Sequence, residues 1–345
     1  MLKPEPLKAF DMMYRRLTAD GRDEALFGGR GERLRSAYEQ TLIGDECPVV
    51  YLEIPLSGKP YCDMTALLSS IPADAVFAPG RGYGLEKVFR WWRSRPEPVG
   101  CCGVEVDVKG DGPLRAAAIL QHDGKRDQIE PFLHTLGAGD RLADYFAFCE
   151  RLPRDWYDVY AGVFAGRPGA PMRVAALVEN AAKTAPLSEQ LRRVGFTAFD
   201  EAMARQCASF FAPEGATELQ FDLLPDGRVG DALGVIRFFT DLDVSRHESY
   251  MRTDRGAAFM AALEADGLID GRWRLLPDCC FARGRRIPDE DGRALLFSFM
   301  TKLHSVKLKY AAGVLQGVKC YLEWKTNIVE ERGDEGGSAL HGREL

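Results

Sequence analysis

Basic residues recur at one place in a repeated strand pattern of this chain. Residues 161–177 read AGVFAGRPGAPMRVAAL, in which a turn cluster separates two apolar runs and Arg173 follows the turn. Residues 103–120 repeat the pattern, and the letters PLRA correspond to PMRV, so that Arg115 matches Arg173. Lys319 holds a comparable position near the C-terminus. Guanidinium offers planar bidentate contact and ammonium a point charge, so cations that converge from several strands suit a polyanion such as a diphosphate.

More charged residues follow the same strands. Lys307 and Lys309 share one face of the first strand in the last repeat, because strand residues alternate between faces. Tyr321 and Glu323 share a face with Lys319 on the second strand. Diphosphate ligands are therefore expected at these lysines. The alternative is that the basic residues point outward, between the helices and solvent.

The fourth repeat departs from the pattern, and the carboxylates add candidates for a base. Gly234 stands where the arginine is expected, and Arg237, three residues later, is the substitute diphosphate ligand. A carboxylate can remove a proton from a reacting group. Glu53 and Glu105 lie on predicted strands and are candidates for this role. Either glutamate can instead be a structural counter-ion to the cations.

The repeats predict five β-hairpins, at about residues 49–68, 102–122, 161–177, 218–238 and 304–324. Apolar residues at helical spacing, interrupted by glycine-rich breaks, predict helices before the first hairpin and between the others. A further helix is expected over residues 256–265, whereas residues 279–296 carry no clear pattern. The order is helices followed by a hairpin, five times over.

Hairpins that close locally cannot build a parallel sheet, which excludes a Rossmann arrangement. Ten antiparallel strands in an open sheet would leave two unpaired edges, and closure into a barrel removes them. The expected fold is therefore α+β: a closed ten-stranded antiparallel barrel of five helix-helix-strand-strand units, with helices outside and a cavity inside. An open antiparallel sheet, or two smaller sheets, is the alternative. We expect one domain over residues 1–329 and a disordered polar tail over 330–345.

Composition indicates an ordinary globular protein. Apolar residues make up 46% and charged residues 28%, and the net charge is −6, which argues against a nucleic-acid partner. No apolar run approaches the length of a membrane span, and the N-terminus lacks the apolar core of a signal peptide. Nine scattered cysteines without a C-x-x-C pair favour reduced thiols. A cytoplasmic location and no membrane partner are the expectation, and the oligomeric state is left open.

The five-fold order of helices and hairpins resembles that of the ABBA-type aromatic prenyltransferases, whose fold is the prenyltransferase barrel. Lys319-Cys320-Tyr321 is similar to the K-x-Y element of the indole prenyltransferases, and the second hairpin resembles that of the cyanobactin peptide prenyltransferases. The resemblance implies Lys319, Arg173 and Arg115 as diphosphate ligands, and Tyr321 as ligand and carbocation shield. It also implies a prenyl diphosphate co-substrate and an aromatic or peptide acceptor. The family often has an acidic base on an early strand, for which Glu53 is the first candidate and Glu105 the second.

Other functions stay open on the sequence. No Asp-rich DDxxD motif is present, which argues against the helical-bundle and membrane isoprenoid enzymes. Magnesium bridging the diphosphate is an open alternative without a dedicated site, since Asp241 and Asp243 read as loop residues. The same barrel can also be a module that binds a peptide or anionic ligand without chemistry, or a tailoring enzyme of peptide natural products with another anionic substrate.

Overall fold

One antiparallel sheet of eleven strands runs through the chain in the computed structural model. The structure describes residues 6–42, 48–68, 85–95, 101–122, 124–164, 169–179, 186–211, 216–239, 254–288 and 294–330. The strands are β1 (Val49–Pro55), β2 (Asp63–Leu68), β3 (Cys101–Asp107), β4 (Arg115–Gln121), β5 (Trp156–Val163), β6 (Met172–Glu179), β7 (Ala216–Leu223), β8 (Val229–Phe238), β9 (Phe281–Pro288), β10 (Ala294–Ala311) and β11 (Val314–Glu330).

The order of the strands closes the sheet on itself. β1 to β8 are neighbours in chain order, β10 follows β8, and β11 pairs with both β10 and β1. The five predicted hairpins are therefore confirmed, and they form the predicted closed barrel of ten antiparallel strands. β9 pairs with β10 outside this ring.

Helices precede the first hairpin and separate the others. They are α1 (Pro6–Thr18), α2 (Gly31–Thr41), α3 (Glu86–Arg93), α4 (Ile129–Thr135), α5 (Leu142–Arg151), α6 (Leu187–Val194), α7 (Glu201–Phe210), α8 (Asp254–Ala265) and the single turn α9 (Leu276–Cys279). None of these helices has the length and apolar character that a membrane span requires.

The stretch without a predicted pattern holds β9 and the start of β10. β9 reads FARGRRIP, which lacks an alternation of apolar and polar residues, and so its pairing could not be predicted from periodicity. β10 begins at Ala294 and β11 continues to Glu330, so their hairpin extends beyond the barrel, and β9 lies on this extension. The polar tail predicted after residue 329 lies almost wholly outside the described residues, as do Asp241 and Asp243.

Each barrel strand turns its apolar face outward. On β7, Leu219, Phe221 and Leu223 are buried against the helices, while the residues between them are polar. Fully buried Val318, Cys320, Leu322 and Trp324 alternate in the same way with polar residues on β11. The hydrophobic core therefore lies between the barrel and its helices, and the inward face is left for charged and aromatic side chains.

Aromatic contacts tie the helices to this outer face. Tyr38 of α2 packs on Trp324 of β11 with ring centroids 5.5 Å apart, and Phe10 of α1 stacks on Tyr38 at 4.4 Å. On β7, the ring centroid of Phe221 lies 5.5 Å from that of Phe148 of α5 and 6.2 Å from that of Phe196. Such pairs add to the free energy gained from burial of apolar area.

The outward face of β7 gives a test of this arrangement. We expect Phe221→Ala to lower the free energy of unfolding by about 3–5 kcal/mol, because it leaves a cavity between the sheet, α5 and Phe196. Met12→Ala on the exposed face of α1 is the control, and we expect a change within about 0.5 kcal/mol. Urea unfolding followed by circular dichroism measures both. Equal, small effects would contradict a core between barrel and helices.

Candidate active site

The inward face of the barrel carries a dense cluster of charged residues near the hairpin turns. Cations and carboxylates from seven strands meet there: Lys307, Lys319, Arg173, Glu53, Glu105, Asp63, Glu218 and Asp222. Their side chains are buried or half-buried. Burial of a charge costs free energy unless the charge is paired or hydrogen-bonded, and nearly every member of the cluster has such a partner.

Lys319 is held between two carboxylates. Its Nζ donates to Glu53 Oε2 at 3.0 Å, lies 3.6 Å from Asp63 Oδ2, and sits 5.3 Å from the ring centroid of Tyr61. Burial would raise the pKa of Glu53, but the ammonium groups of Lys319 and Lys307 outweigh it and hold that pKa at about 2. Asp63 also accepts hydrogen bonds from the backbone of Val108 and Lys109 at 2.9 and 3.1 Å, which fixes the β3–β4 turn beside the cluster.

Arg173 of β6 joins the neighbouring strand β7 to β3, which lies three strands away in the barrel. Its Nε donates to Asp222 Oδ1 at 3.1 Å, and its Nη1 lies 3.6 Å from Glu105 Oε1. Burial would lower the pKa of Arg173, but Glu105 and Asp222 raise it, so the guanidinium stays charged. Phe164 lies under the guanidinium at 5.6 Å from its ring centroid, a cation–π distance.

Lys307 is bound differently, since its ammonium donates to the neutral amide oxygen of Gln220. Burial and the nearby charge of Arg173 lower the pKa of Lys307 to about 8. Gly234 makes room for this side chain, because a Cβ at that position would lie 2.6 Å from Lys307 Cε. The glycine that replaces the expected arginine of the fourth hairpin thus accommodates a lysine from the fifth.

A cavity of about 240 Å³ lies directly next to this cluster. Its wall combines aliphatic and aromatic side chains with the inward polar groups, and includes Tyr51, Tyr160, Tyr321, Phe238, Leu177 and Ile236. Burial raises the pKa of Tyr160 and of Tyr321, so both phenols stay neutral. The site joins a charged end, which suits an anion, to a deeper aromatic chamber.

Two β-bulges place extra side chains in the cavity. The register shifts between Asp158 and Tyr160 and again between Leu303 and Ser305. Because a bulge adds one residue to a strand, consecutive residues can face the same side there. Val159 and Tyr160, and likewise His304 and Ser305, all line the cavity. His304 lies 4.8 Å from the ring of Tyr51 and 5.3 Å from that of Phe238.

The structure brings most of the predicted residues together. Glu53, Glu105, Lys307 and Tyr321 line the cavity, and Arg173 and Lys319 pair with its glutamates. Lys309 is on the same strand face at the mouth, where burial and the charge of Lys319 lower its pKa. Arg115 begins β4 at the rim, and its side chain is exposed.

Arg237 is not part of the cluster, although it was a predicted diphosphate ligand. The inward positions of β8 are Gly234, Ile236 and Phe238, so alternation turns Arg237 outward. Its guanidinium stacks on Phe259 of α8, 4.5 Å from the ring centroid.

Sequence reasoning missed several members of the site. Gln220, Glu218 and Asp222 alternate with buried apolar residues on β7, and this pattern alone would have marked them as inward. Tyr61 and Asp63 follow the first turn and carried no repeated signal. Tyr160 and His304 line the cavity next to the two bulges, and the sequence does not predict where those bulges lie. No group of three His, Cys, Asp or Glu side chains suited to a metal ion occurs within the part of the chain that the structure describes.

Comparison with known proteins gives one kind of match. No family model matches the chain, and no curated protein matches it. Among solved structures it is similar to 5-dimethylallyltryptophan synthase from Streptomyces coelicolor, with a TM-score of 0.51 and 14% sequence identity. The match covers 94% of this chain and 98% of that chain. With its closed ten-stranded barrel and outer helices, the chain therefore has the prenyltransferase-barrel fold.

Proposed function

We propose that this protein is a prenyltransferase that moves a prenyl group from an allylic prenyl diphosphate to an aromatic or peptide side-chain acceptor. The observation that carries the proposal is the convergence of Lys307, Lys319 and Arg173 inside a barrel, next to an aromatic chamber. The fold shared with a dimethylallyltryptophan synthase supports the same conclusion.

The cations would bind the diphosphate and stabilise the charge that develops as it leaves. Preorganised charges in a water-poor site act more strongly than in bulk water and need no reorganisation during the reaction. Lys307 and Lys319 act as point charges, Arg173 as a fork, and Tyr321 can donate through its neutral phenol. Lys309 and Arg115 at the mouth would attract the anion before it enters.

The chamber would shield the allylic cation. Aromatic faces attract cations through their quadrupole, and Tyr51, Tyr160, Tyr321 and Phe238 surround the cavity. Exclusion of water there protects a reactive intermediate from hydrolysis. Glu53 and Glu105 hold Lys319 and Arg173 in place, and a carboxylate of the lumen must finally accept the proton that the acceptor loses. Magnesium would add positive charge at the diphosphate, but no group of side chains suited to hold it occurs among the described residues.

A binding module without chemistry would be favoured by glutamates facing outward and by cations that do not converge. Neither condition is met, since Glu53 and Glu105 line the cavity and the cations surround it. The enzyme is therefore the function that the site supports best.

Loss of Lys307 tests the diphosphate site. We expect Lys307→Gln to weaken binding of dimethylallyl diphosphate at least tenfold by calorimetry, because it removes a charge-assisted contact worth about 1.5–3 kcal/mol. The same variant should lose prenyl transfer, read by intact mass after incubation with dimethylallyl or geranyl diphosphate and indole, phenols, or Trp- and Tyr-containing peptides.

Arg237→Gln is the matched control, because it removes a cation of the adjacent strand that faces outward. Its diphosphate affinity and transfer should stay at the wild-type level. Wild-type protein that neither binds the diphosphate nor forms an adduct would contradict the proposed function. Equal losses in both variants would contradict the inward site.

Diphosphate affinity should also depend on pH. Lys307 has a pKa of about 8 in the free protein, so its ammonium loses its proton and its charge as the pH rises above that value. Affinity should therefore fall between pH 7 and 9, approaching tenfold per pH unit above the pKa. Lys307→Arg keeps its charge throughout this range, and calorimetry should show a flatter profile. An identical decline in both proteins would assign the effect to another group.

A further inference from the structure

Glu218 stands apart from the other glutamates of the cavity. It lies on β7 in register with Leu177 of β6 and Ile236 of β8, deeper in the barrel than Gln220 and only 9% exposed. Glu53 and Glu105 each pair with a cation, at 3.0 and 3.6 Å. Within the described residues, Glu218 has no ion pair and accepts one hydrogen bond, from Gln220. Of the three glutamates that line the cavity, Glu218 is therefore the one without a cation partner among the described residues.

Gln220 fixes the orientation of this carboxylate. The amide oxygen of Gln220 accepts from the Lys307 ammonium, and its Nε2 donates to Glu218 Oε1 at 2.7 Å. Since an amide accepts through oxygen and donates through nitrogen, the lysine determines which end of Gln220 faces the glutamate. No donor among the described residues reaches Oε2 of Glu218, so this oxygen is left for a ligand in the cavity.

The surroundings suit proton transfer. Burial raises the pKa of Glu218, although Gln220 and Lys307 partly offset the shift. Lys307 of β10, Tyr51 of β1 and Tyr160 of β5 are the titratable groups that face it. His304, Glu53, Glu105 and Tyr321 line the same cavity. A base accepts a proton best when its pKa approaches the working pH, and Glu53, with a pKa of about 2, is a much weaker acceptor.

On the transfer reaction proposed above, we infer that Glu218 is the general base and Gln220 its positioning residue. The acceptor carbon forms a bond to C1 of the allylic group, while the bond from C1 to oxygen breaks and its electron pair leaves with the diphosphate. Glu218 then takes the proton from the substituted carbon, and the electrons of that C–H bond restore the aromatic ring. The ammonium of Lys307 has three donors, so it can contact the diphosphate while it still holds Gln220.

Glu218→Gln separates this role from diphosphate binding. We expect the rate of transfer to acceptors that the wild type prenylates to fall by about 10²–10⁴. Affinity for dimethylallyl diphosphate should stay within about threefold, and its slow hydrolysis to dimethylallyl alcohol should continue, because neither step needs the base. The wild-type rise of kcat/KM with pH on the acid side should disappear in Glu218→Gln. It should return in Glu218→Asp at a different pH.

Two further variants complete the test. Glu130→Gln on the exposed face of α4 is the control and should match the wild type. Gln220→Leu should lower kcat and shift the acid limb of the profile, since Glu218 loses its orienting donor, whereas Gln220→Glu is a poor substitute because it cannot donate when ionised.

The outcomes separate the two proposals. Wild-type protein that transfers, together with a Glu218→Gln variant that transfers with an unchanged acid limb, would overturn the base and leave the function standing. Loss of diphosphate affinity in Glu218→Gln to the same degree as transfer would assign Glu218 to the diphosphate site and also overturn it. Wild-type protein that makes no adduct and does not hydrolyse the diphosphate would overturn the function and the base together.

Discussion

The structure depends on the direction in which its apolar side chains point. In this barrel they point away from the lumen, whereas in many small barrels they fill it. Each strand buries its aliphatic and aromatic face under helices, as β7 does with Leu219, Phe221 and Leu223. Apolar contacts between the sheet and the helices stabilise the fold, so the side chains of the lumen do not have to form a hydrophobic core. Only because the core lies outside the barrel can the inside carry Lys307, Glu218 and the rest of a charged site.

The same arrangement creates an electrostatic constraint. A lumen that excludes water cannot hold like charges alone, so each cation is compensated by carboxylates or amides. Lys319 with Glu53 and Arg173 with Glu105 and Asp222 are such compensations. Breaking these pairs by removing one partner leaves a buried charge, and an incoming diphosphate must compete with the resident carboxylates. Under the proposed function, the cations would exchange these partners for the diphosphate and return to them when the product leaves.

Much of the fold could be predicted from the sequence, because hairpins carry local signals. Turn residues and alternation located the five hairpins, and closure followed from the need to remove two edges. Arg173 and Lys319 were found because their register repeats. Residue types alone do not indicate contacts between different hairpins. Arg237 follows Gly234 by three residues, and alternation along β8 turns it outward, while Lys307 from another hairpin occupies the space beside Gly234.

The bulges and β9 show a second limit. At Val159-Tyr160 and His304-Ser305 two consecutive residues line the cavity, which contradicts any strict alternation. The position of a bulge depends on the partner strand and on packing, so it cannot be predicted from the local residue types. β9 forms because the β10–β11 hairpin extends past the barrel and leaves an edge to pair with, so its existence depends on distant residues.

The three glutamates of the cavity show how one residue type acquires different chemistry from its place in the barrel. Glu53 lies opposite Tyr321 on β11, close to two lysines, and its charge is stabilised so strongly that it serves best as a counter-ion. At Glu105 the effect of burial is larger than that of the nearby Arg173 charge, so the pKa of Glu105 is raised. Glu218 has no ion pair among the described residues, and Gln220 lies between it and the ammonium of Lys307. The balance between burial and the nearby cations therefore sets the direction of each pKa shift, and Glu218 lies next to the chamber where an acceptor would react.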